Sequence, residues 1–488
     1  METAGRVTSI TTLKPGGDKA VPAAKRAEIA ENRPELLARH CTEAGQIEKA
    51  VGLWGKAGQR SLERSALVEA AEQITRALEQ IESLPATPEL RREQIKLQVT
   101  LITPLIHVKG WAAPETKAAA ERARLLIEQA EARGEPSEDP LLLFSVLYIF
   151  WAVNYLAFNG DAMRELAAQF LTLAEKQGAT TGPLMIGHRL MGNSLFLTGD
   201  LTEGRAHFDQ ALALYDPAEH RVLAARFSQD IRVAILCNRS WALWLLGYPD
   251  AALADVDHAL EDAREIGQAA TLLYALLHVS VTDIHCGNYA TATAVLDELT
   301  ALAGEKGALF WNVHGTAQQG CLFSLTGKDS DAIKMLTSGF IAIRSTGTTC
   351  WMPLYSSNLA RAYVELGKFD DAWRCIREAI TAVETTKERW CEAEVNRIAG
   401  EVALLSPERD ATKAEAYFER ALAVARQQHE HGAALARSGQ AGRGPRASRP
   451  GLRLVYRRLR YARARAREFV DSVAQHIRSC RTTWGRSP

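Results

Sequence analysis

Apolar residues recur along this chain at three- and four-residue spacing from Pro34 to Gln428, the spacing of amphipathic helices. No run of alternating β-branched residues signals a strand. The helical pattern is itself repeated. Five glycines punctuate it, Gly199, Gly247, Gly287, Gly327 and Gly367, the last four spaced by 40 residues, and Gly45 opens the same turn phrase earlier. Five residues after each glycine stands a small residue: Ala50, Gly204, Ala252, Ala292, Ala332 and Ala372. Four further on stands a bulky one: Trp54, Phe208, Val256, Leu296, Leu336 and Ile376. Seven residues before the five regular glycines the small set recurs as Gly192, Ser240, Ser280, Gly320 and Ala360. Small residues at both places let two helices approach, and the i, i+4 relation puts the bulky residue on the same face, packed against the next hairpin. A fixed period with a recurring turn is the mark of stacked helical hairpins. The pattern therefore predicts an all-α, right-handed superhelical solenoid of tetratricopeptide-like hairpins. The period of 40 exceeds the usual ~34, so each helix is expected to be roughly three residues longer than standard.

The regular ladder spans residues 181–428, and 25–180 reads as longer, less regular helical hairpins. Residues 1–24, with Pro15-Gly16-Gly17 and little periodicity, read as a flexible leader. After Gln428 the composition changes to Arg, Ala, Gly and Ser. Residues 432–488 hold fourteen Arg, no Lys, one Glu and one Asp, a net +12 within a chain of net charge zero. The body is therefore about −12, and a disordered basic tail over 429–488 is expected.

Hydrophobic content of 47% and charged content of 24% are those of a soluble, well-packed protein. The eight cysteines are scattered with no C-x-x-C, so reduced, buried thiols and a cytoplasmic setting are expected. The start of the chain lacks the apolar stretch of a signal peptide. The apolar run from Leu141 to Val153 is too short to span a bilayer and reads as a buried helix.

No constellation of residues names a reaction. The Gly-Lys pairs at 55–56, 327–328 and 367–368 are followed by Ala, Asp and Phe and lack the earlier glycine of a phosphate-binding loop. Asp283, His285 and Cys286 are too close in sequence to share one helix face, with no second His or Cys a turn away. Cys350-Trp351 and Trp390-Cys391 lack a neighbouring base and read as packing. Asp216-Pro217-Ala218-Glu219-His220-Arg221 reads as a capped turn tying hairpins together. No catalytic residue, metal or cofactor is assigned. The functional surface is expected to be the inner groove lined by the first helix of each hairpin. Projection of the repeat puts Arg189, Asn193, Phe196, Trp241, Trp244, Tyr274, His314, Ser357 and Arg361 on or near it. Aromatic and Arg anchors suit a protein or peptide partner. Neither a membrane nor a specific nucleic acid is implied.

Several phrases are not demanded by a helical hairpin: Glu69 to Pro85, Lys109-Gly110-Trp111-Ala112-Ala113-Pro114-Glu115, Ala211 to Arg221, Trp241 to Ala252 and Glu388 to Gly400. In these, residues 28–428 resemble the tetratricopeptide-repeat C-terminal region of bacterial proteins that join a class III adenylate/guanylate cyclase to an AAA-type ATPase. The resemblance implies a regulatory or sensory arm of a signalling protein, with the cyclase and ATPase modules absent from this chain. The alternatives to that reading are a stand-alone adaptor that binds a peptide in its groove, or a regulatory chain that acts in trans on a separate cyclase or ATPase. Family members continue with a further hairpin. Read two bases out of register through GC-rich codons, that hairpin resembles Glu430 to Tyr461. A frameshift in the gene, leaving a truncated ladder, is the expectation this carries.

Overall fold

The computed structural model describes residues 33–64, 66–110, 113–135, 139–177 and 181–437, and among them every element is a helix. The leader over 1–24 and the basic segment beyond Arg437 lie outside the described residues. The first half holds α1 (Pro34–Glu43), α2 (Ile47–Glu63), α3 (Leu67–Ile81), α4 (Pro88–Lys109), α5 (Pro114–Ala132), α6 (Leu142–Leu156), α7 (Gly160–Gln177), α8 (Thr181–Leu197), α9 (Leu201–Ala213) and the single turn α10 (Pro217–His220). A 3₁₀ turn, Arg221–Ala225, follows. The second half holds α11 (Ile231–Leu245), α12 (Pro249–Ile266), α13 (Ala269–Cys286), α14 (Tyr289–Glu305), α15 (Leu309–Leu325), α16 (Asp329–Ser345), α17 (Met352–Glu365), α18 (Phe369–Thr386), α19 (Glu392–Leu405) and α20 (Ala411–Arg437). α20 thus carries the helical run past Gln428. The architecture is the all-α solenoid of tetratricopeptide-like hairpins that the period predicts.

The turns explain the period. Gly45, Gly199, Gly247, Gly287, Gly327 and Gly367 all have positive φ, between 70° and 105°. In each turn the amide after the glycine donates back five residues, as Asp200 to Leu195, Tyr248 to Leu243, Asn288 to Asp283 and Lys368 to Tyr363, at 2.8–2.9 Å. This closure satisfies carbonyls that the helix end would orphan, and it needs a left-handed residue where only glycine is unstrained.

The small residues set the helix–helix distance. A Cβ on Gly204 would lie 2.8 Å from the Gly192 carbonyl oxygen and 2.8 Å from the Phe196 nitrogen. The bulky residue then closes its own hairpin. Phe208 packs where Gly192 leaves room, Leu336 on Gly320, and Phe418 on Gly400. The reason is geometric, since the contact between α8 and α9 is so close that only the side chain one turn on can fill the groove beside it. Phe208, Leu336 and Phe418 are fully buried, each contributing about 2–3 kcal/mol.

Both faces of the first helices are covered. α13 is long and apolar enough, by length and composition, to cross a membrane, yet 72% of that window is buried inside the protein. α6, the apolar run near residue 141, is likewise a core helix.

The solenoid also closes on itself. The amides of Thr349 and Cys350 both donate to the Leu156 carbonyl, at 2.7 and 3.0 Å. Those of Arg389 and Trp390 both donate to the Leu197 carbonyl, at 2.9 and 3.2 Å. Gln428 Nε2 donates to the Arg389 carbonyl at 2.9 Å. The Trp311 indole reaches His107 Nδ1 at 3.5 Å across a separation of 204 residues. Turns between late hairpins therefore rest on the ends of the early helices α6 and α8.

Candidate functional site

Closure fills the inner face with aromatic rings. Trp241, from α11, stacks on Trp390 at 5.5 Å and on His278 at 5.1 Å, and meets Trp351 edge-on at 5.7 Å. Its indole donates to the His278 carbonyl at 3.0 Å. Phe196 lies 6.4 Å from Trp241 and 6.0 Å from Trp390. Tyr274 stacks on His278 at 3.9 Å, and His314 meets the edge of Trp351 at 5.2 Å. Four of the residues projected onto the groove, Phe196, Trp241, Tyr274 and His314, thus meet in one buried cluster. Trp244 is half-buried against the His285 ring at 4.5 Å. The Ser357 hydroxyl donates to the Leu354 carbonyl at 2.8 Å, and Arg361 lies 3.8 Å from Glu394.

Arg189 and Asn193, one turn apart on α8, are buried beside the cluster. Arg189 Nη1 donates to the Tyr148 hydroxyl at 3.2 Å, and its guanidinium lies over the Tyr148 and Tyr274 rings at 5.7 and 6.0 Å. Gln229 is satisfied when its amide oxygen faces this pair, accepting from Tyr148 at 2.9 Å and from Arg189 Nη2 at 3.0 Å. Arg189 Nε and both amide atoms of Asn193 have no partner.

Three participants carry no local sequence signal: His278, Glu388 and Gln229. His278 Nδ1 faces the Tyr274 carbonyl at 2.8 Å, so that nitrogen carries the proton and donates. Burial, with Arg189 nearby, brings the His278 pKa down to about 3, and burial does the same for His314. Both rings are neutral at pH 7. Glu388, fully buried, accepts from the Trp351 amide at 2.9 Å and from the Trp390 indole at 2.9 Å. Burial raises its carboxyl to about 8 although these donors pull the other way.

The remaining sequence candidates serve structure. Asp216 caps the Ala218 amide at 2.8 Å, the Asp216 amide donates to His220 Nδ1 at 2.8 Å, and Arg221 pairs with Glu265 at 3.0 Å. Burial raises the thiols of Cys350 and Cys391, and lifts Cys286 to about 11, away from nucleophilic use. Among the described residues no group of three His, Cys, Asp or Glu could hold a metal ion.

An open cleft of about 1150 Å³ lies elsewhere, between α4 and the opposing Val222–Ser228 segment with the start of α13. Its lining includes Val99, His107 and Leu273 together with the charged Glu93, Lys96 and Lys306. Val222 at its mouth is 75% exposed. Its lining residues Ser228 and Leu273 directly precede Gln229 and Tyr274 in sequence.

No family model matches the chain. An uncharacterised protein of Rhizobium meliloti (strain 1021) is 25% identical over 372 residues, which is 74% of this chain and 34% of that protein. The chain thus spans about a third of that relative's length. Among solved structures, a Rap protein complexed with competence and sporulation factor is similar with a TM-score of 0.54 and 12% identity, over 78% of this chain and 99% of that one. A signal transduction ATPase with a tetratricopeptide repeat sensor from Pyrococcus horikoshii matches at a TM-score of 0.43 and 13% identity, over 79% and 54% of the two chains. The similarity to the Rap protein extends to the fold.

Proposed function

We propose that this chain is a non-catalytic scaffold that binds a protein or peptide segment in the cleft between α4 and the Val222–Ser228 segment. The cleft itself carries the reading. It is large, and its lining mixes apolar side chains with charges of both signs, a combination suited to an amphipathic segment. The groups that could do chemistry are instead buried and engaged in packing. The Rap protein of similar fold is solved with a factor bound, which supports the use of this architecture for recognition.

The finer reading is a regulatory arm of a cyclase–ATPase signalling system, working in cis within longer relatives or in trans here. The inner-groove set belongs to this proposal through its half-buried members Trp244 and Arg361, the other seven being buried. The repeat ladder over 181–428 would serve as its frame. The test is retention of partners from native cell extract by the full chain and by a Thr103→Trp variant, which adds an indole to the cleft lining. One defined cyclase or ATPase, held by the first and lost by the second, is the expected result. Only nucleic acid and chaperones on both would overturn it.

A further inference from the structure

Two imidazoles face each other between α8 and α9. His188 Nδ1 and His207 Nδ1 lie 2.9 Å apart, with ring centroids 5.1 Å apart and the rings inclined by 36°. Both residues are half-buried. At this separation one ring donates its Nδ1 proton to the lone pair of the other. Burial, with His188 adding to it, lowers the His207 pKa to about 4. Burial lowers that of His188 too, and Glu175 near the end of α7 opposes the shift there. Both rings are therefore neutral at pH 7, the form that binds a metal.

The repeat itself does not require this pair. His188 stands eleven residues before the turn glycine Gly199, and His207 eight after it. In the next four hairpins the same two places hold Leu236 and Asp255, Leu276 and Val295, Thr316 and Met335, and Ser356 and Cys375. Those hairpins pack without imidazoles. The spacing of the two nitrogens has a chemical match instead. Ligands about 2.0–2.1 Å from one ion and roughly 90° apart lie about 2.9 Å from each other, as neighbours in a tetragonal site do. Half-burial leaves solvent access, so water can take the other positions. Among the described residues no third His, Cys, Asp or Glu joins the pair.

We propose that His188 and His207 form a two-histidine site for a divalent transition-metal ion of tetragonal preference, nickel(II) or copper(II), held between α8 and α9. The ring that donates in the free protein moves its proton from Nδ1 to Nε2. Both Nδ1 lone pairs then face the ion, and the pair neither gains nor loses a proton or an electron. The bound ion cross-links α8 to α9 and stabilises the folded chain by mass action. Imidazole ligands favour such ions over magnesium, which prefers oxygen. The site is independent of the cleft.

The full chain, His188→Gln, His207→Gln and His40→Gln are titrated with NiCl2 at pH 7.5 by calorimetry and melted in NiCl2 and in MgCl2. His40 is an exposed histidine on α1 and serves as the control. The natural chain and His40→Gln should bind one more equivalent of nickel than either His188→Gln or His207→Gln. Their melting temperatures should rise by a few degrees in excess NiCl2 and not in MgCl2, while the other two variants should gain nothing. Either substitution breaks the pair, so if one variant does not fold the other decides. Equal nickel binding by all four proteins, or none by the natural chain, would overturn the proposal. An equal rise in MgCl2 would overturn the transition-metal assignment.

Discussion

Glu388 shows how a residue acquires a property that its neighbours in sequence do not give it. In Lys387-Glu388-Arg389 it looks like an ordinary turn carboxylate. In the folded chain it is enclosed between the Trp351 and Trp390 turns, near the thiols of Cys350 and Cys391. Its folded pKa, about 8, exceeds the ordinary glutamate value of 4.5. The unfolded chain therefore loses this proton first as pH rises, and stability falls from about pH 4.5 through about pH 8, then levels off. Glu388→Gln removes that slope. Urea midpoints measured near pH 5 and near pH 9 should differ in the natural chain by more than in the variant. Equal differences would show that the carboxyl titrates normally. The aromatic set and Arg189 were legible as residue types suited to contacts. Which of them sit in the interior was not, because Trp244 and Trp241 occupy adjacent turns of one helix and differ only in what later packs on them.

At the scale of helices and turns most features were already present in the sequence. The turn glycines adopt the left-handed conformation that their position demands. A second ladder was less visible: Gly267, Gly307 and Gly347 end the second helices with φ of 68°, 63° and 72°, and Lys387 occupies the next place at 67°. A side chain in that conformation costs about 1–2 kcal/mol, partly offset by the lower chain entropy of a non-glycine residue. Lys387→Gly should therefore raise stability by up to about 1 kcal/mol in chemical unfolding. Glycines in helix interiors divide by contact. Gly52 is exposed, and a Cβ added there would meet nothing within 4 Å, so replacement by Ala should gain about 0.5–1 kcal/mol. At Gly204 the same change drives a methyl into the backbone of α8, and thermal melts should show a loss of at least ~2 kcal/mol.

At the scale of the whole molecule the notable fact is closure. Thr349, Cys350, Arg389 and Trp390 lie outside helices, yet their amides are held by the carbonyls of Leu156 and Leu197. They should exchange with deuterium slowly, at rates nearer those of helix interiors than of exposed turns. Gly160 lies at the same junction, and a Cβ there would meet Thr198 at 2.7 Å and Lys387 at 3.2 Å. Gly160→Leu wedges the turns apart and should accelerate exchange at all four amides together while α1–α3 remain unchanged. Independent changes at single amides would mean that the closure is not one cooperative contact.

The sequence by itself determined the helices, their hairpin turns, the close approach of paired helices and the repeat architecture. Each of these depends on residues a few positions apart, through φ at glycine, helical spacing and side-chain size. Tertiary structure alone decided that the inner face is filled, that Gln229 faces Arg189, that Glu388 is buried and that the open cleft lies beside α4. Those outcomes follow from how the small rotation at each hairpin accumulates along the solenoid. An accumulated angle brings Trp311 to His107 and Trp390 to Leu197 without leaving a mark on the local pattern of either segment.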